Sequence, residues 1–103
     1  MGAFKLSCVK TRYFEFEAPD NGRVLLIEPP KLKTLKEMED IRKDNKSGIG
    51  EVAGLLAKII SKNKGGRKVS AELVLSWMDI DQMQEFLGEF MDWMRRSRKS
   101  DPN

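Results

Sequence analysis

The chain has 103 residues, of which 40% are hydrophobic and 34% are charged, and its formal net charge is +3. This composition is typical of one small globular domain and excludes a disordered chain. The sequence contains no histidine and a single cysteine, Cys8, which excludes Ser-His-Asp and Cys-His catalysis, histidine-containing metal sites and an intrachain disulfide.

Two alternating segments joined by a turn predict a β-hairpin near the N-terminus. Within residues 13–17, Phe14 and Phe16 alternate with Glu15 and Glu17, and the apolar run at 24–27 follows a Pro-Asp-Asn-Gly turn. We expect paired strands over 12–18 and 23–28. Residues 4–8 also alternate apolar and polar side chains and indicate a further strand over 3–9, so the predicted hairpin has two or three antiparallel strands.

Helical periodicity dominates the rest of the chain. A first helix is predicted over 31–45, with Thr34 and Glu37 spaced as a capping box. A second helix over 49–63 has a broad apolar face and is predicted to be the core helix. The glycine pair at 65–66 is predicted to stop it.

Two further helices complete the prediction. Ser70 is placed to cap the third, and Asp79 with Gln82 forms a capping box that opens the fourth. The fourth helix carries one stripe of apolar residues, namely Ile80, Met83, Phe86, Leu87, Phe90, Met91 and Met94. The prediction is therefore an α+β, mainly helical fold with an N-terminal hairpin followed by about four helices.

A chain of this size forms one domain, predicted to cover residues 1–96. Residues 3–28 make up its hairpin region and residues 31–96 its helical region, and residues 97–103 are predicted to be a flexible basic tail. No apolar run approaches the roughly 18 residues that span a bilayer. The N-terminal residues lack a signal-peptide core. We therefore expect a cytoplasmic protein that does not associate with a membrane.

Charges are separated into blocks along the second half of the chain. A basic patch without acids is formed by Lys58, Lys62, Lys64, Arg67 and Lys68, and residues 79–92 carry acids without bases. The basic patch could bind RNA or phosphate. Alternatively, the two blocks complement helix dipoles, or the basic turn of one copy binds the acidic helix of another copy.

None of the polar clusters has the spacing of an active site. The glycine-containing turn over 64–68 lacks the GxxxxGK[ST] spacing of a phosphate loop. The acidic pair of Glu15 and Glu17 lies on the polar face of a strand, and capping explains Asp79. We therefore predict that the protein is not an enzyme and binds no metal ion or cofactor.

Three short strings stand out in the helical region: Pro-Pro-Lys-Leu at 29–32, Lys-Asn at 62–63 and Lys-Val-Ser at 68–70. Together with the order of the helices, they resemble the phage tail assembly chaperones of Gram-positive siphophages and prophages. The similar span covers about residues 28–93. The resemblance implies a non-catalytic protein in the bacterial host cytoplasm that binds the tape measure protein and helps to recruit tail tube subunits.

A chain this small cannot bury every apolar helix face, so part of the Met-rich and aromatic surface is expected to contact a partner or a second copy. The contact surface predicted on this basis comprises Leu55, Leu56, Ile59, Met83, Phe86, Phe90, Met91 and Trp93. The alternative function is that of a small nucleic-acid-binding protein that uses the basic patch and the basic tail. Such binding would weaken steeply with salt, whereas capture of an apolar helix would not.

Overall fold

The computed structural model describes residues 12–43 and 48–99. Within them the chain forms two strands and four helices, in the order β1 (Phe14–Glu17), β2 (Val24–Ile27), α1 (Leu32–Lys43), α2 (Ile49–Ser61), α3 (Ala71–Trp77) and α4 (Ile80–Lys99). This order confirms the predicted α+β, mainly helical fold with an N-terminal hairpin. The proposed third strand over residues 3–9 lies outside the described residues.

The hairpin is built as its alternation predicts. Strands β1 and β2 pair antiparallel, with Phe14 opposite Ile27 and Phe16 opposite Leu25, so these four side chains share the inner face. The four-residue turn needs Gly22, whose φ of +72° lies in the left-handed region. Each strand is shorter than predicted, since the paired residues are limited to Phe14–Glu17 and Val24–Ile27.

Helix α2 is the centre of the core, as predicted. Seven of its residues are buried, namely Val52, Ala53, Leu55, Leu56, Ala57, Ile59 and Ile60. It contacts α1, α3, α4 and strand β2. Its first turn is closed by the Glu51 carboxylate, which accepts a hydrogen bond from the backbone N–H of Gly48 at 3.1 Å.

Two predicted helix caps are confirmed. Ser70 Oγ accepts a hydrogen bond from the N–H of Leu73 at 3.1 Å and so caps α3. At the start of α4, Asp79 Oδ1 accepts from the N–H of Gln82 at 2.8 Å, and Gln82 Oε1 accepts from the N–H of Asp79 at 2.9 Å. Each bond satisfies an N–H that has no partner within its helix.

Two helix boundaries at the ends of the helical region differ from prediction. Helix α1 begins at Leu32, so Thr34 lies inside the first turn and does not cap it. The first turn closes through a backbone hydrogen bond from the N–H of Leu35 to the carbonyl of Lys31 at 3.0 Å. At the other end, α4 continues to Lys99, so residues 97–99 of the predicted tail are helical.

The end of α2 also differs from prediction. The helix ends at Ser61, before the glycine pair that was predicted to stop it. The N–H of Lys62 bonds the carbonyl of Ile59 at 3.2 Å, which tightens the last turn. The glycines belong instead to the following turn, in which Gly66 has a φ of +76° and its N–H bonds the carbonyl of Asn63 at 3.0 Å.

An aromatic cluster joins the hairpin to α4. The ring of Phe14 packs edge-on against Phe86 and Phe90, with centroid separations of 5.7 and 5.2 Å. Phe16 packs edge-on against Phe86 at 5.3 Å and lies 6.0 Å from Trp77. These aromatic contacts pack β1 against the apolar stripe of α4. The polar residues Gln82, Glu85 and Glu89 of α4 therefore lie beside the strand.

Candidate partner-binding grooves

The structure places the predicted contact surface in the core. Of its eight residues, Leu55, Leu56, Ile59, Met83, Phe86, Phe90 and Met91 are buried, and Trp93 is half-buried. The physical reason is that α2 and α4 direct their broad apolar stripes at each other and at the hairpin. The folded domain therefore does not present these side chains as one surface, and a partner could reach most of them only if the domain opened.

Three residues of that set nevertheless reach the floors of open grooves. Phe86 lines a groove between β1 and the α3–α4 corner, and Met91 lines a groove between α4 and the start of α1. Leu55 lies in a third groove between α1 and α2. The apolar surface that remains accessible to a partner is therefore found in grooves between elements.

The groove between α4 and the start of α1, here called the proline groove, has a volume of about 330 Å³. Its lining residues are Arg12, Pro29, Pro30, Leu32, Leu35, Glu39, Met91, Met94 and Arg95. Leu32 is 81% exposed although it begins a helix, and it is the most exposed large hydrophobic residue among those that the structure describes. An exposed leucine beside a proline pair and two methionines forms an adaptable apolar surface.

The groove between β1 and the α3–α4 corner, here called the acidic groove, has a volume of about 400 Å³. Its floor is aromatic and apolar, and its rim carries four glutamates. The lining residues are Phe14, Glu15, Phe16, Glu17, Pro19, Trp77, Met78, Gln82, Glu85, Phe86 and Glu89. None of them is basic, so the groove is negatively charged although the whole chain is positive.

The two grooves lie on opposite sides of α4. Gln82, Glu85 and Glu89 recur at helical spacing along one edge of the helix. Met91 and Arg95 line the proline groove and project from the opposite edge. Helix α4 therefore separates an acid-rimmed groove from a groove flanked by arginines.

The basic patch is partly engaged within the domain. Arg67 donates to both carboxylate oxygens of Asp20, at 3.2 and 2.5 Å, and lies 5.5 Å from the ring of Trp77. Lys58 pairs with Glu37 at 3.4 Å on the surface. Bonding to Arg67 holds the pKa of Asp20 below its usual value, and the same bond raises the pKa of Arg67. These two cations therefore already have carboxylate partners.

The other residues of the basic patch serve the loop after α2 or face solvent. Lys64 lies over the ring of Tyr13, with its Nζ 5.7 Å from the centroid. The backbone carbonyl of Lys62 accepts from the N–H of Glu28 at 2.8 Å. Lys68 is exposed. The patch is therefore a set of separate side chains around a structured loop.

Sequence inspection missed the residue that organises this loop, Asn63. Its side-chain amide donates to the carbonyls of Ile60 at 2.7 Å and Arg67 at 2.8 Å, and its Oδ1 accepts from the N–H of Arg67 at 3.0 Å. Asn63 is 7% exposed and forms an isolated bridge with Ile27. An asparagine after the last helical turn and before a glycine pair was the available indication, because asparagine bonds nearby backbone in turns.

The described residues, 12–43 and 48–99, contain neither a metal-binding cluster of acidic or cysteine side chains nor a helix that could span a membrane. This part of the chain contains no group of three or more Cys, Asp or Glu side chains that could hold a metal ion. None of its helices combines the length and the apolar character needed to cross a bilayer.

No known family model matches the sequence, and no curated protein sequence or solved structure shows a significant match. The resemblance to tail assembly chaperones therefore rests on the three short strings and the order of the helices. The structure places Pro-Pro-Lys-Leu at the proline groove, Lys-Asn at the end of α2 and Lys-Val-Ser at the cap of α3.

Proposed function

We propose that the protein is a non-catalytic tail assembly chaperone that binds an apolar helical segment of the tape measure protein in the bacterial cytoplasm. The observation that carries this proposal is the pair of open apolar grooves on opposite sides of α4. A domain with grooves that expose Leu, Met and aromatic side chains is suited to helix-in-groove recognition.

The resemblance supports the same partner class. The Pro-Pro-Lys-Leu string that contributes to the resemblance also supplies Pro29, Pro30 and Leu32 to the proline groove. An exposed leucine at the first position of α1 makes no contribution to burial in the isolated domain. Contact with a partner would bury the Leu32 side chain, which the fold of the isolated domain leaves exposed.

The experiment is affinity capture with tagged full-length protein from a lysate of phage-induced source cells, in high salt, analysed by mass spectrometry. The proposal expects recovery of a long protein with sustained apolar heptads together with tail tube subunits. High salt removes contacts made through phosphates and leaves apolar contacts. Recovery of nucleic acid alone at low salt, lost at high salt, would contradict the proposal and support the nucleic-acid alternative.

A matched pair of variants makes this experiment specific for the proline groove. Leu32→Asp should preserve the fold because this side chain is 81% exposed, and it should abolish capture of the long helical protein. Lys36→Asp changes the charge of an exposed position on the same helix outside the groove and should capture it normally. Equal capture by both variants would show that the proline groove does not bind this partner.

A further inference from the structure

The acidic groove has a composition that folding alone does not explain. Its floor contains Phe16, Trp77, Met78 and Phe86, and the first three of these are only half-buried. Half-buried aromatic and methionine side chains around a cavity of about 400 Å³ leave apolar surface in water. Such a floor gains free energy when an apolar group covers it.

The rim brings four like charges together from two elements. Glu15 and Glu17 come from β1, and Glu85 and Glu89 come from α4. All four are exposed, and within the described residues none of them takes part in an ion pair. Like charges one helical turn apart reduce helix stability, so this arrangement lowers the stability of the isolated domain.

Complementing the helix dipole does not account for the acids on α4. Asp79 caps the helix and Asp81 lies in its first turn, where a negative charge is favourable. Glu85 and Glu89 follow one and two turns later, beyond the range of that effect. The helix dipole therefore explains Asp79 and Asp81. It gives Glu85 and Glu89 no structural role.

We propose that the acidic groove binds a cationic amphipathic helix of the partner protein, with apolar side chains on the aromatic floor and Lys or Arg side chains on the glutamate rim. Charge complementarity selects this occupant, since the lining contains four carboxylates and no cation. The inference deepens the proposed function, on which it rests, by assigning a segment chemistry to one groove.

The spacing of the rim fits a helix. Glu85 and Glu89 are one helical turn apart, and Glu15 and Glu17 are two strand residues apart, so both pairs span about 6–7 Å. Lys or Arg side chains at positions i and i+4 of a bound helix have the same spacing. One or two turns of such a helix match the length of α4 between Gln82 and Glu89, about 10 Å.

The test uses fluorescence anisotropy with the full-length protein and three labelled peptides of about 18 residues, long enough to form helix. The first is an amphipathic helix with Leu and Phe on one face and Lys at i and i+4. The second has Glu in place of each Lys. The third has the composition of the first, rearranged into strict apolar–polar alternation. The inference expects the first peptide to bind at least about tenfold more tightly than either of the others.

Groove variants locate the site. Glu85→Gln/Glu89→Gln should weaken binding of the Lys peptide about tenfold while the thermal midpoint stays equal or rises, because repulsion is relieved. Glu85→Lys/Glu89→Lys should shift the preference to the Glu peptide. Glu72→Gln/Asp81→Asn removes two exposed acids on α3 and α4, outside all three grooves, and should leave binding unchanged.

Four outcomes would overturn the inference. Equal binding of the Lys and Glu peptides would show that charge does not select the occupant. Tighter binding of the alternating peptide would assign the groove to an extended strand. If wild type self-associates and Glu85→Gln/Glu89→Gln does not, the groove binds a second copy of the chain. If the Lys peptide binds only to a Lys5→Glu/Lys10→Glu variant, the groove is occupied by the N-terminal residues of the same chain.

The peptide assay and the lysate capture fail independently. If the Lys peptide does not bind but the long helical protein and tube subunits are captured, the groove assignment falls and the chaperone proposal stands. If the peptide binds at the groove but no tail protein is captured at either low or high salt, the groove assignment stands and the chaperone proposal falls.

Discussion

The guanidinium of Arg67 donates two hydrogen bonds to the carboxylate of Asp20, a residue 47 positions earlier in the sequence. One partner belongs to the hairpin turn and the other to the loop after α2, so the bond ties the two loops together. The side chains are 29% and 36% exposed, which partly shields the pair from water. A two-pronged arginine–carboxylate bond also fixes geometry, and a lysine at position 67 could not reproduce it.

This pair predicts a pH dependence of stability. Because bonding to Arg67 lowers the pKa of Asp20 below its ordinary value of 3.8, the folded state holds the carboxylate ionised at lower pH than the unfolded chain does. The contribution is therefore present above that ordinary value and is lost as the pH falls through the lower folded-state pKa. Asp20→Asn should lower the thermal midpoint at neutral pH, and the difference from wild type should shrink below pH 3.8.

Arg67→Lys is the companion variant for this prediction. It keeps the positive charge but loses the paired hydrogen bonds, so it should reproduce most of the destabilisation seen in Asp20→Asn. If Asp20→Asn differed from wild type by the same amount from neutral pH to pH 2, the carboxylate bond would not be the source of the difference.

Asn63→Ala should destabilise the domain strongly. The substitution leaves the carbonyls of Ile60 and Arg67 and the N–H of Arg67 without their side-chain partner in a largely buried loop. We expect a loss of about 2–3 kcal/mol in the free energy of unfolding, measured by denaturant titration. Lys68→Ala, at an exposed position of the same loop, should change it by less than about 0.5 kcal/mol. Equal effects of the two variants would contradict the assigned role of the Asn63 amide.

Phe90→Ala should behave as a core variant. Phe90 is 0% exposed and packs against Phe14 with a centroid separation of 5.2 Å. We expect a loss of about 3–5 kcal/mol in unfolding free energy, a large part of the roughly 5–15 kcal/mol available to a small domain. Phe90→Asp should not fold, so lost partner binding in that variant would not identify a contact residue. A stably folded Phe90→Asp protein, judged by circular dichroism and thermal melting, would contradict this packing.

The loop after α2 should contribute little to nucleic-acid binding. With Arg67 and Lys58 paired to carboxylates, three lysines remain: Lys62, Lys64 and Lys68. Replacing these three by Ala should reduce the magnitude of the slope of log K against log salt for single-stranded RNA by less than about 1, whereas three lysines that all bound phosphates would contribute about 2. Anisotropy titrations across a range of salt concentrations measure this slope. Tight binding at physiological salt that Arg67→Ala abolished without loss of stability would favour the nucleic-acid alternative.

Much of the fold could be predicted because its signals are local. The alternation over Phe14–Glu17 and the turn before Val24–Ile27 specify a hairpin through bonds between near neighbours. The Asp79–Gln82 capping box likewise acts within four residues. The ends of helices were less predictable where they depend on hydrogen bonds to residues that are distant in the sequence. Helix α2 ends early because the backbone groups of Lys62 and Lys64 form hydrogen bonds with Glu28, just after β2, and with Leu26 of β2.

The sequence by itself determined which residues are apolar, which helices are amphipathic and where the charges are concentrated. Only the tertiary structure decided which apolar stripes face each other, because burial depends on packing between elements distant in sequence. As a result of this packing, Phe90 and Leu56 are buried in the core, whereas Leu32 is exposed to solvent. It also brought the glutamates of β1 beside those of α4, a juxtaposition that no local pattern encodes.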